Sequence, residues 1–144
     1  MRWRKLIEIR KFYKNKFMNN IEKFNKCAAE IFSRLYEKFP IGTDIKIDEF
    51  PQFKNLEDEG IFNETVKFLI NEGFIRCDFV SYDSYLNVVL TSKGFITLNS
   101  IPEAISNKKE TLGDKLKEVL KTGKEEGIKS IIREIIKLFL FPSI

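Results

Sequence analysis

Few residues of this chain have types and spacing suited to chemistry. Cys27 and Cys77 each stand alone, with no second thiol three residues away, and the chain has no histidine. That composition argues against a zinc knuckle, an iron–sulfur site and a Cys-x-x-Cys redox pair. It also removes His-assisted Ser or Cys catalysis and a simple switch near neutral pH. The neighbouring acids Asp48/Glu49 and Asp58/Glu59 have the type needed for hydrolytic acid–base work or for a hard cation. Adjacent carboxylates on a solvated segment, however, are ordinarily just hydrated charges. Lys121-Thr-Gly-Lys-Glu-Glu-Gly lacks both the earlier glycine and the Ser/Thr after Gly-Lys that a phosphate loop needs. No Gly-x-Ser-x-Gly elbow occurs. The expectation is a non-enzymatic protein without metal, cofactor or small-molecule substrate.

Charge carries more information. The 144 residues hold 25 basic and 21 acidic side chains, a net charge of +4. The balance is +7 over residues 1–26, −6 over 43–86 and +3 over 107–144, with neutral stretches between. A chain of this length suits one ordinary domain, here divided by composition into a basic N-terminal arm (1–20), a central module (21–105) and an amphipathic C-terminal segment (106–144). No run of about 18 apolar residues is present, so no transmembrane helix is expected. Charges interrupt the first residues too often for a secretory signal, which points to the cytoplasm.

These charges must be placed on elements. Apolar residues at steps of three and four, from Ile21 through Phe24, Ala28, Ile31, Phe32 and Leu35, predict a core helix over 21–38, with a break near Asn19-Asn20. Thr43–Glu49 alternates Ile45 and Ile47 with polar residues, as a half-buried strand does. Residues 52–59 are polar and predict a loop. Phe62, Val66, Leu69 and Ile70 predict a helix over 61–72, ended by Gly73. Residues 74–80 and 85–90 flank Ser81-Tyr-Asp-Ser as a hairpin. Thr91 has the type of an N-cap for a helix over 92–99. Residues 111–121 and 127–141 are helical by spacing, with Gly123 and Gly127 between them.

Two phrases in this order are familiar. Phe68-Leu-Ile-Asn-Glu-Gly-Phe-Ile-Arg, followed by Val89-Leu-Thr-Ser-Lys-Gly-Phe-Ile-Thr-Leu, resembles winged-helix proteins, where one helix ends on Glu-Gly-aromatic-Ile and enters the wing, and a Leu-Thr-x-Lys-Gly phrase leaves it. Small bacterial proteins of winged-helix type look similar over roughly residues 21–105. The resemblance implies an α+β fold, mainly helical, with a winged-helix-like core and a β-hairpin wing, flanked by N- and C-terminal helices. It also implies that helix 61–72 would enter a DNA major groove.

The charge map opposes that last implication. Asn63, Glu64, Lys67, Asn71 and Glu72 are expected to face out, preceded by Glu57, Asp58 and Glu59. In the wing, Arg76 is offset by Asp78 and Asp83. DNA affinity rests mainly on neutralising phosphates with Lys and Arg, so protein–protein contact is the expected function. A DNA-binding regulator using the basic arm is the alternative, and a peripheral membrane protein the next. The expected partner surfaces are Arg2, Trp3, Arg4, Lys5, Arg10, Lys11 and Lys14 in the arm, and Ile131, Ile135 and Phe139 on the C-terminal helix. The expected partners are a protein or a second copy, with a homodimer favoured; nucleic acid and an anionic membrane surface are the alternatives. The apolar C-terminal helix must be covered by its own domain, a partner subunit or a membrane interface. A basic arm and an acidic module can also attract each other, within one molecule or between copies.

Overall fold

A computed structural model describes residue 5 and residues 19–53, 55–82, 84–102 and 109–142. The architecture is α+β. Helix α1 (Asn20–Lys38) leads to strand β1 (Thr43–Lys46) and two 3₁₀ turns at Ile47–Glu49 and Pro51–Phe53. Helix α2 (Leu56–Asn71), strands β2 (Ile75–Ser81) and β3 (Ser84–Leu90), and helix α3 (Ser92–Leu98) follow. Helices α4 (Leu112–Thr122) and α5 (Glu125–Leu140) complete the order.

The three strands form an antiparallel sheet in the order β1-β3-β2. The β2/β3 hairpin is regular from Ile75↔Leu90 to Ser81↔Ser84. The β1/β3 register shifts between Thr43 and Ile45. There Asn87 adopts φ 53, a left-handed conformation that Asn tolerates better than most residues. Its backbone N–H donates to Asp44 Oδ1 at 3.0 Å and its side-chain amide to Asp78. A Cβ on Gly42 would lie 1.8 Å from Asn87 Oδ1, so the chain approaches the bulge closely only because residue 42 is glycine.

One hydrophobic core joins the helices and the sheet. Its fully buried members include Ile31, Phe32 and Leu35 of α1, Phe62 and Leu69 of α2, Ile75, Tyr85 and Leu90 of the sheet, and Leu98 of α3. Leu112 and Leu116 of α4 and Ile128, Ile132 and Ile135 of α5 belong to the same cluster. Residues 106–144 therefore supply part of the central module's core. Phe50, Phe53, Phe62 and Tyr85 form a chain of ring contacts, centroids 5.2–6.3 Å apart, under the 3₁₀ turns. Such aromatic contacts add modestly to the area they bury.

Several boundaries differ from the expected ones. Helix α2 starts at Leu56, five residues before residue 61, because Asn55 caps it by accepting the Asp58 N–H at 3.0 Å. The expected loop 52–59 is thus a 3₁₀ turn and a first helical turn; its acids carry no apolar stripe, but they suit the positive end of the helix dipole. The strand expected to reach Glu49 ends at Lys46, and Ile47 enters a 3₁₀ turn. Gly123 terminates α4 at φ 68. Gly127 lies inside α5 rather than between the helices; a Cβ there would meet Val119 Cγ1 at 3.0 Å, so it lets α4 and α5 approach. Among the described residues, no helix is long and apolar enough to cross a membrane.

Candidate interaction surface

The two phrases of the resemblance meet in space. Gly73 ends α2 at φ +87, where glycine carries no steric penalty. The Thr91 hydroxyl donates to Gly73 O at 2.6 Å and accepts the Gly94 N–H at 3.0 Å, and the Thr91 N–H donates to Phe74 O at 3.0 Å. One threonine thus caps α3 and ties it to the start of β2. A Cβ on Gly94 would lie 2.2 Å from Phe74 O, a backbone atom, so any larger residue there would force the main chain to shift.

Helix α2 is held against α1 by an ion pair. Lys23 Nζ lies 2.8 Å from Asp58 Oδ1, and both side chains are largely buried. Asp58 is thereby absorbed into the packing. Asn63 is also partly inward, since the Tyr85 hydroxyl donates to its Oδ1 at 3.0 Å. Of the other residues expected to face out, Glu57, Glu64, Lys67, Asn71 and Glu72 are exposed, while Glu59 is half-buried. Lys67, the one cation in the α2 sequence, lies 3.5 Å from Glu64. The free face of α2 is therefore acidic.

Beside those acids runs an apolar groove of about 590 Å³ between α1 and α2. Ile21 and Phe24 form one wall and Ile61 and Phe68 the other, with Glu64 and Lys67 on the rim. Phe24 and Phe68 meet edge to face with centroids 5.3 Å apart. Ile21 remains 68% exposed and Phe68 42% exposed. Helical spacing puts Ile21 on the stripe expected to be core and leaves Phe68 off the stripe of α2; in the structure Ile21 faces away from the core and meets Phe68 at the groove. Only the placement of α1 against α2 shows it.

The β2/β3 hairpin offers a second surface. β2 is an outer strand of the sheet, and Phe79, Val80 and Tyr82 on it and its turn are exposed. Arg76 and Asp78 are exposed on the same strand, with Asp78 engaged by Asn87, and Asp83 lies outside the described residues.

The expected partner residues are distributed differently. Arg2, Trp3, Arg4, Arg10, Lys11 and Lys14 lie outside the described residues, and Lys5 is exposed. Ile131, Ile135 and Phe139 are core residues, 8%, 0% and 3% exposed. They are not a partner surface: the apolar face of α5 is satisfied by its own domain, the self-docking alternative. Phe139 stacks on Phe74 at 3.7 Å between centroids, and Lys93 Nζ sits 4.2 Å from the Phe139 ring centre. Near its end, the large apolar side chains Leu140 and Phe141, the latter just past the helix, are exposed.

Among the described residues, no group of three or more cysteine and acidic side chains could hold a metal ion. Burial, and secondarily the Glu30 charge, pushes the Cys27 thiol up to about 12, against a smaller opposing effect of a Thr65 hydrogen bond. A thiol held protonated is a poor nucleophile. Cys77 is half-buried, with its Sγ directed to the Phe79 and Leu86 carbonyls. Glu49 pairs with Arg34 at 3.1 Å, and Asp58 with Lys23. In comparisons with known proteins, no family model, curated protein or solved structure matches the chain.

Proposed function

We propose that the chain is a non-enzymatic, winged-helix-like module for protein–protein contact. In this assignment α2 holds the place of a recognition helix and the β2/β3 hairpin is the wing. The element order and the Thr91–Gly94 junction against Phe74 support that architecture. The observation that carries the function is the free face of α2. It presents Glu64, paired with Lys67, beside the apolar Ile21, Phe24, Ile61 and Phe68, with Glu57 and Glu72 exposed toward the two ends of the same helix. Such a surface repels phosphate before any base edge comes within reach, while an apolar strip edged by charge suits a protein partner. The exposed Phe79 and Val80 on the outer strand β2 give a second copy a place to dock.

Duplex-DNA retardation, co-sedimentation with anionic liposomes and solution mass test this function on the full chain. The expected result is no binding to either polyanion and a mass above that of one chain. Retardation that weakens steeply with salt contradicts it, because such a slope counts neutralised phosphates. A DNA-binding role through the basic arm is the second possibility. One observation favours it: α5 adds Lys129, Arg133 and Lys137, all exposed and four residues apart. Arg133→Glu would then reduce retardation.

A further inference from the structure

We propose that the groove between α1 and α2 is the docking site of the chain's own N-terminal residues 1–18. This deepens the protein-contact function, since an outside partner of that face would have to match or displace the arm.

Four observations converge. First, the groove is apolar and uncovered by the described residues: Ile21, Phe24, Ile61 and Phe68 line it. Second, the arm has a matching composition, with Leu6, Ile7, Ile9, Phe12, Tyr13 and Phe17 spread among its charges. Third, the signs are complementary. Residues 1–18 hold seven cations and one acid, Glu8, whereas residues 56–72 hold five acids and one cation, Lys67. Glu64, which lines the groove, is paired with Lys67, while the exposed Glu57 and Glu72 lie four residues before Ile61 and four after Phe68, on the same helical face at the two ends of the groove. Fourth, the point of attachment is at the groove itself. Asn20 and Ile21 belong to its lining, so the arm is tethered at the site's edge. Asn19 is extended (φ −76, ψ 167) and its side chain accepts the Glu22 N–H at 2.8 Å, so α1 begins there and the chain can change direction before it. A tether of this kind gives an effective concentration on the order of millimolar, enough for a weak contact to be occupied within one molecule.

The test uses the full chain with Cys77→Ser and Tyr13→Cys, the new thiol carrying a nitroxide. Cys27 is fully buried and its thiol is held protonated, so it escapes the label. The expected result is loss of more than half the amide signal of Ile61, Glu64 and Phe68, recovered on reducing the nitroxide. Adding Phe68→Asp and Glu57→Lys should restore the Ile61 and Glu64 signals while leaving those of core residues Ile45 and Leu90 unshifted, which shows the fold intact. Labelled, unenriched chain mixed with unlabelled, ¹⁵N-enriched chain should produce no loss. Full signal at the groove in the labelled chain overturns the proposal; so does loss that persists in the Phe68→Asp, Glu57→Lys variant, because the tether alone then explains it, and so does loss that appears only in the mixed sample, because the occupant would then be a second copy. An empty groove would leave the protein-contact function standing on its own DNA and liposome measurements.

Discussion

Helix α5 and the α1/α2 groove are both apolar stripes at helical spacing, yet the fold treats them oppositely. Ile132 and Ile135 of α5 are 1% and 0% exposed, while Ile21 is 68% exposed. The α5 stripe is the more apolar in sequence, and it is the covered one. An apolar helix therefore announces that something must cover it, not what does. In this molecule the α5 stripe is core, and the exposed apolar surface lies between α1 and the acidic helix α2.

The comparison is broken most severely by changing one residue from each stripe. Ile135→Ala removes a fully buried side chain and should cost about 3 kcal/mol, seen as a lower midpoint in urea unfolding. Phe68→Ala should cost much less, because much of its ring is already in water. Equal losses would mean that the groove is core. Gly113→Ala tests the α4 side: a Cβ there would lie 2.3 Å from the Tyr36 ring, whose hydroxyl bonds Asn99 and Thr111 at 2.9 Å. Overpacking at this point should destabilise by about 2 kcal/mol. Thermal unfolding would register it as a drop of several degrees.

Asp58→Asn probes the seam between α1 and α2. It leaves the Lys23 ammonium without its partner, and with both groups slightly exposed the loss should be about 1–2 kcal/mol, below that of a fully buried pair. Adding Lys23→Met should recover part of it. The exposed pair Lys117–Glu37, 3.6 Å apart, marks the low end: Lys117→Ala should change stability by less than about 0.5 kcal/mol.

The two cysteines sharpen the same contrast through reactivity. A thiol reagent at pH 8 should modify Cys77 in the folded protein and reach Cys27 only after unfolding. The Cys27 thiol rises from 9.0 to about 12 on folding. Below pH 9 both states keep the proton and its titration has no effect. Between pH 9 and 12 the unfolded chain releases it, so stability should decline with rising pH across that window.

Much of the scaffold was legible in the sequence. The α1 stripe, the hairpin and the Thr91 cap follow from local spacing and capping chemistry, which act within a few residues. The start of α2 was hidden because its first turn, Leu56-Glu-Asp-Glu-Gly, buries only Asp58, an acid that sequence reasoning places in solvent. Gly127 resembled a helix break, but its role is set by Val119 on a neighbouring helix. The groove was hidden for a related reason. Ile21 and Phe68 are separated by 47 positions, and their shared exposure exists only once Lys23 and Asp58 bring the two helices together. Charge sums showed that the middle of the chain was acidic; they did not show that the acids border an apolar surface.

The central claim is that the free face of α2 meets protein rather than DNA. It is tested most directly by titrating the ¹⁵N-enriched full chain with duplex DNA at about 50 mM salt, where phosphate contacts are strong. The account predicts that the amide signals of Glu57 through Glu72 stay in place as DNA is added. Shifts concentrated on α2 that vanish on raising the salt would contradict it.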